Sequence, residues 1–377
     1  MEESIQDTAQ EVVYRRGLVL ALIMFVHLKF FVQIVLDKEL LVFDLMLYSL
    51  LLFCVDYKRI RYSFFVLIPM AAVSLINPAA RNMFVIFLMT YIVSKLPLRT
   101  VLWYNLVSQT LVFCLAAISL LLGVTESVMF EQTALDMRIR YDFGMGNPNT
   151  FSLFIYSILI NLYLYAGVRN KTVMWILLAI TLAVAKYTGS RTFLVAMLFL
   201  ILCNMIRNKL ESWPRFSRIV YFSMPLILIG AIFFFSLNYR TFPLVNILFT
   251  GRFQLYNALI TSVSPVQALV GSRLVNDMTI DNSFLHLVYG GGLIALGVFF
   301  YLYYNAMFHS DRKDMSILLP LFTSVFMVGL TESILTFALL FGNMIVWVIL
   351  YKIYMGDSLS EMLEPQYEED SSLPPVQ

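Results

Sequence analysis

The sequence predicts an all-α, polytopic integral membrane protein of about twelve transmembrane helices, with a large outer loop containing short helices. Three observations carry this. Of 377 residues, 60% are hydrophobic and 13% are charged, against about 25% charged in soluble domains, and the mean hydropathy is +0.80. Apolar runs of roughly 15 to 23 residues recur between short polar breaks, the length a helix rising about 1.5 Å per residue needs to cross about 30 Å of hydrocarbon. These runs are continuous in Leu, Phe and Ile without strict polar alternation, which argues against a transmembrane barrel.

Taken in order, residues 1–16, MEESIQDTAQEVVYRR, carry four acids and no small-residue cleavage site, and read as an uncleaved cytosolic leader. Residues 17–356 form a single transmembrane domain whose apolar runs begin near Gly17, Leu40, Ser63, Met83, Val101, Thr150, Val173, Thr192, Ile219, Ser283, Met315 and Ser333. Those near Ser63, Met83 and Val173 are short enough that one pair is alternatively re-entrant. With the N-terminus inside, Lys and Arg are about twice as frequent on the cytoplasmic side, the bias that cytoplasmic loops show, and both termini are then cytoplasmic. Residues 357–377 read as a disordered acidic cytosolic tail.

Two outer loops, 123–149 and 238–282, are too long to be simple connections. In the second, Phe253, Tyr256, Leu259, Ile260 and Val263 recur at helical spacing, which predicts a helix on the outer rim. No internal repeat suggests the inverted halves of a transporter. Cys54, Cys114 and Cys203 all fall within apolar runs, so neither a disulfide framework nor a zinc cluster is expected. A net charge of +2 gives no nucleic-acid footprint.

Candidate chemistry concentrates outside. Arg138 and Arg140 in MRIRYDFG, Arg191 in TGSRT, Arg252 in TGRFQ and Arg273 in GSRLV are guanidiniums where few positive charges are expected, and their planar forks suit diphosphate oxygens. Each taken singly also reads as an arginine snorkelling to head groups at a helix end. Ser190 and Ser272 add hydroxyl donors beside them. Asp281, at a predicted helix start, reads either as the N-cap or as a general base. His286 lies one turn beyond Asn282 and reads as a substrate contact or as an interior hydrogen-bonded residue. Glu332, between two apolar runs, reads foremost as the partner of an arginine. Asn147 and Asn149, around Pro148, fit a turn and helix cap, and equally the binding of sugar hydroxyls. Asp277 and Asp281 stand i, i+4, too little for a metal site, and no Walker or Gly-rich dinucleotide run occurs, so neither metal nor cofactor is expected.

In order, FGMGNPNTFSL, YTGSRTFL, TGRFQLYNAL, DNSFLHLVYGGGL and LTESIL resemble the Wzy-type polysaccharide polymerase and O-antigen ligase superfamily over Tyr141 to Ile349. The resemblance implies a GT-C-like integral membrane glycosyltransferase of the bacterial inner membrane, with an outward-facing active site and no metal or nucleotide sugar. Its substrates would be undecaprenyl-diphosphate-linked glycans, as donor and acceptor, joined into capsular, exopolysaccharide or O-antigen polymer. A flippase and a chain-length regulator are further implied partners beside the lipid bilayer. The diphosphate-binding arginines would be Arg191 and Arg252, with Arg273 as a third, supported by Asn147, Asn149, Ser190, Asn282 and Glu332. Where the ligases carry His-Asn, this chain has Asp281-Asn282, which favours a polymerase with Asp281 as the base and His286 as the fallback. An O-antigen ligase-like transferase and a lipid-linked oligosaccharide transporter are the alternatives.

Overall fold

The computed structural model describes residues 2–55, 64–133, 136–168, 170–278, 280–337 and 341–364. The YKRIR run at Tyr57–Arg61 and the tail beyond residue 364 lie outside the described residues. The fold is mostly helical: α1 (Glu2–Phe30), α2 (Leu41–Cys54), α3 (Phe64–Ile76), α4 (Pro78–Val93) and α5 (Leu98–Leu121) precede a hairpin of β1 (Val128–Thr133) and β2 (Asp136–Tyr141). There follow α6 (Pro148–Leu162), α7 (Lys171–Thr188), α8 (Arg191–Met205), α9 (Arg207–Ser212) and α10 (Pro214–Leu237). The second outer loop folds into α11 (Pro243–Leu248), α12 (Arg252–Ser262), α13 (Pro265–Val270) and α14 (Leu274–Asp277). Then come α15 (Ser283–Leu285), α16 (Gly292–His309), α17 (Arg312–Gly329), α18 (Phe341–Tyr354) and α19 (Leu359–Met362).

Helical segments stand at or near all twelve expected places, but among the described residues six are long and apolar enough to cross a membrane: Arg16–Val35, Leu98–Leu121, Pro148–Gly167, Lys171–Thr188, Pro214–Leu237 and Gly292–His309. Others stop early because breakers interrupt them. The 15 residues of α8 lie between Ser190 and Ile206 and span only about 22 Å at 1.5 Å per residue. The run expected from Ser283 is split by a π turn at His286–Gly290, and that expected from Ser333 opens with a 3-10 turn at Ile334–Thr336 ahead of α18. The first outer loop also departs from the all-α expectation by forming a hairpin, with Val128 opposite Tyr141 and Thr133 opposite Asp136.

Both terminal boundaries shift. The leader is helical from Glu2 and continuous with the first apolar helix, because no Gly or Pro occurs before Gly17. The expected disordered tail is ordered through Glu364: Leu359 and Leu363 are buried. Asp314 Oδ2 accepts from Leu359 N at 3.1 Å and Oδ1 from Ser360 N at 2.7 Å.

Several helices hold polar groups inward and apolar groups outward, the reverse of the arrangement water imposes. On α5, Asn105, Ser108 and Gln109 are buried while Trp103, Leu111, Phe113 and Ile118 are exposed. Gln109 Nε2 donates to Ser157 Oγ on α6, and Asn161 Nδ2 donates to Ser157 O at 2.7 Å. One helix buried along nearly its whole length is α17, which packs against α8 and α10. Its two ends organise the two polar ends of the molecule.

Candidate functional site

Backbone carbonyls of a chain that has left a helix have no intrahelical donor and must find partners elsewhere. Beyond α17 this demand assembles a site. Gly329 closes the helix, and a Cβ there would lie 3.2 Å from Ser283 Cβ, so its lack of a side chain lets the start of α15 press against the turn. Leu330 O then accepts from Asn282 Nδ2 at 2.8 Å and from Tyr256 Oη at 3.4 Å. Thr331 O accepts from Arg252 Nη1, and Glu332 O from Ser283 Oγ at 2.8 Å. The segment carrying Glu332 is therefore held by α12 and by the residues around α15.

Arg252 is the first residue of α12, reached through Gly251 in the left-handed conformation with φ 80°. Its Nη2 lies 3.7 Å from Glu332 Oε1 and 3.8 Å from Asp281 Oδ2. The Glu332 side chain is 14% exposed and that of Asp281 53%. The helix predicted around Phe253, Tyr256 and Leu259 is present, and those three residues are its buried face. It seats Arg252 by packing on α10.

The cap of α15 is Asn282, not Asp281: Asn282 Oδ1 accepts from Leu285 N at 2.9 Å. A cap must reach an N–H two or three residues ahead, and a shift of one residue in the helix start gives that work to Asn282. Asn282 is fully buried with both ends of its amide engaged, so it builds the site rather than facing a ligand. Asp281 is left to Arg252. The His286 ring is also committed, with Nε2 donating to Ile280 O at 2.6 Å.

A second guanidinium arrives from the hairpin. Arg140 Nε donates to Thr188 O at 2.6 Å and Nη2 to Asn149 Oδ1 at 2.7 Å. Gly189, with φ 63°, ends α7, and a Cβ there would stand 3.4 Å from Arg140 Nε. Asn147 caps α6 through Asn149 N at 2.8 Å. Asn149, Ser190, Thr192, Tyr156 and Glu332 line one narrow cleft of about 10 Å³, and Thr331 Oγ1 donates to Thr192 Oγ1 at 2.8 Å beside it. Arg191, between two cleft residues in sequence, is exposed at the start of α8.

The three arginines expected to bind diphosphate thus separate: Arg252 is in the cluster, Arg191 is exposed between the cleft residues Ser190 and Thr192 in sequence, and Arg273 is elsewhere. Arg273 lines another cavity, of about 340 Å³, with Asn77, Gln267, Ser272 and Asp277. The reason is the tight seat of the loop before it. Gly271, with φ 88°, lies so close to Gly290 O that a Cβ would be 2.3 Å away, and Ser272 N donates to Tyr289 O. Sequence reasoning noticed Arg140 but left it out of the site, and it missed Thr192, Thr331 and the hydroxyl of Tyr256. Their contacts span many residues of sequence, and the Gly189 turn within TGSRT was the available signal for Arg140's approach.

Burial dominates the electrostatics. It pushes the Glu332 carboxyl up to about 8 against the opposing pull of Arg252, with Asp281 raising it and Arg140 lowering it. Burial also raises Asp281 above the ordinary carboxylate range, opposed by Arg252. The Tyr256 hydroxyl is pushed up to about 12 by burial, so it is a donor at neutral pH. The site combines guanidiniums, a carboxyl group whose proton affinity burial has raised, and hydroxyl and amide groups around a cleft. Such a set has the chemistry to bind an anionic group and to exchange a proton. Among the described residues, no three His, Cys, Asp or Glu side chains gather as metal ligands. No family model, curated protein or solved structure matches the chain, so the functional reading stands on this geometry and on the ordered sequence runs.

Proposed function

We propose that this protein is a Wzy-type polysaccharide polymerase, joining undecaprenyl-diphosphate-linked oligosaccharide repeats on the outer face of a bacterial inner membrane by inverting glycosyl transfer. The observation that supports this most is Arg252 held between Asp281 and Glu332 at a cleft lined by Asn149, Ser190 and Thr192. The donor diphosphate lies against Arg252 with Arg140 and Arg191 near it, and their charge stabilises the leaving group as the anomeric C–O bond breaks. One such contact is worth on the order of 3 kcal/mol, about a hundredfold in rate. Asn149 and Ser190 offer groups for sugar hydroxyls, and a carboxylate of the cluster takes the acceptor's proton. The second outer loop, through α12, excludes water that would otherwise hydrolyse the donor.

A transporter needs charged side chains along a shared passage. The interior charges are otherwise placed: Lys29 pairs with Asp44, and Lys186 is exposed, with Nζ 5.7 Å from the Tyr187 ring centroid.

Full-length protein in proteoliposomes, given one lipid-linked repeat and no nucleotide, is expected to produce a ladder of longer glycans. Arg252→Lys, whose compact ammonium lacks the planar fork that reaches the Thr331 carbonyl and an anion side by side, is expected to lose about a hundredfold in rate while the protein still unfolds cooperatively. The absence of a ladder, or wild-type chain growth by the variant, refutes the proposal. Transfer only to a lipid-anchored core oligosaccharide would identify a ligase instead.

A further inference from the structure

Resting on the polymerase reading, we propose that Glu332, not Asp281, accepts the proton of the acceptor hydroxyl, and that Asp281 is a positioning residue for Arg252. Glu332 lines the cleft with Asn149, Ser190 and Thr192, and Asp281 does not. The Glu332 side chain is mostly shielded, whereas that of Asp281 is half exposed. Water around an exposed carboxylate weakens it as a base, and water admitted to the reaction hydrolyses the donor.

The backbone of Glu332 is fixed at both ends, its N–H donating to Val328 O at 3.0 Å and its carbonyl accepting from Ser283 Oγ. Its carboxyl, however, receives no backbone N–H among the described residues, and its cationic neighbour Arg252 Nη2 lies 3.7 Å away. Oxygen lone pairs therefore remain for a substrate hydroxyl. Asp281 instead sits where its charge and its carbonyl both meet Arg252, the latter at 3.4 Å, which orients the guanidinium.

Four titratable or charged groups face Glu332: Arg252 and Tyr256 from α12, Asp281 ahead of α15, and Arg140 from β2. With burial outweighing them, the carboxyl titrates at about 8, where it is a stronger base than an ordinary carboxylate and still ionises near neutral pH. In the step, the acceptor O–H proton passes to a Glu332 oxygen as the acceptor oxygen bonds the anomeric carbon. The C–O bond to the diphosphate breaks with its electron pair on the lipid diphosphate. Glu332 then releases the proton to water through the cleft.

Chain growth per added lipid-linked repeat is measured for wild type, Glu332→Gln, Glu332→Asp and Asp281→Asn between pH 5.5 and 9.5. Wild-type kcat/KM is expected to rise with pH to an inflection near 8. Glu332→Gln is expected to fall by about 10² to 10³-fold and lose the inflection, with donor KM little changed. Asp281→Asn keeps the inflection and raises donor KM. Should Glu332→Gln not fold, Glu332→Asp decides, since a slower enzyme that retains a titrating limb supports the proposal and one without it overturns it. Glu332→Gln within threefold of wild type, or loss of the limb in Asp281→Asn, also overturns it. A wild-type protein that makes no polymer at any pH removes the polymerase reading itself, whereas active wild type with active Glu332→Gln removes only this assignment.

Discussion

An acid stands at each end of α17, Asp314 buried and Glu332 mostly shielded, and the two are treated differently. Asp314, in the first turn, has both oxygens taken by N–H groups of α19, and Oδ1 also accepts from Ser358 Oγ at 3.3 Å. Glu332, just past the last turn, faces guanidiniums and a cleft. The arginines follow the same division. At the end bearing Asp314, Arg99 donates to Tyr165 O and Leu363 O, Arg207 to Val168 O and Arg218 to Ser310 O, each near the end of a helix, where exposed carbonyls attract cations. At the other end Arg140 and Arg252 also hold backbone carbonyls, of Thr188 at the end of α7 and of Thr331 just past α17, but reach in addition an amide and two carboxylates. An arginine on a helix end is structural by default. The incompletely satisfied buried acid beside it distinguishes the candidate site.

Three measurements sharpen or break that contrast. The largest effect is expected in the pH dependence of stability. The folded protein keeps the Glu332 proton up to about 8 while the unfolded chain releases it near the ordinary 4.5. Unfolding between those values therefore releases a proton, and stability falls as pH rises through the window, levelling above it. The apparent melting temperature of wild type should drop by several degrees from pH 5 to 8, and Glu332→Gln should remove this term. A matching slope in both proteins would place the titration elsewhere.

Next in size is Asp314→Asn, which replaces one acceptor oxygen by a donor facing a backbone N–H, at a cost of about 1–3 kcal/mol. Hydrogen exchange at Leu359 and Ser360 should speed by roughly tenfold or more, with chain growth unchanged. Unaltered exchange would mean that apolar burial of Leu359 and Leu363 alone holds α19. The smallest effect belongs to Arg273→Gln. Because Arg273 lines a separate cavity, chain growth should stay within about threefold of wild type, and a loss comparable to that of Arg252→Lys would put the diphosphate there instead.

Much of the helix order was legible, because apolar runs and the 3.6-residue repeat of Phe253, Tyr256 and Leu259 are local signals. The outer arginines stood out against the charge bias for the same reason. Less legible was the assignment between neighbours, such as Asp281 and Asn282, where one residue of helix start decides which side chain caps. Arg140 could be ranked above Arg273 only once the hairpin had carried it to Thr188 and Asn149. The boundary of the tail was missed because its anchor, Asp314, is 45 residues from Leu359.

By itself, then, the sequence determined a mostly helical, apolar chain with two long polar loops rich in arginine, since hydrophobicity and charge act over single turns and single loops. Tertiary structure alone decided how far each helix runs, which acid is used up by N–H donors and which faces a cleft, and which arginines converge. Those outcomes depend on unpaired carbonyls and carboxylates finding donors across long stretches of chain, where burial sets both their partners and their proton affinity.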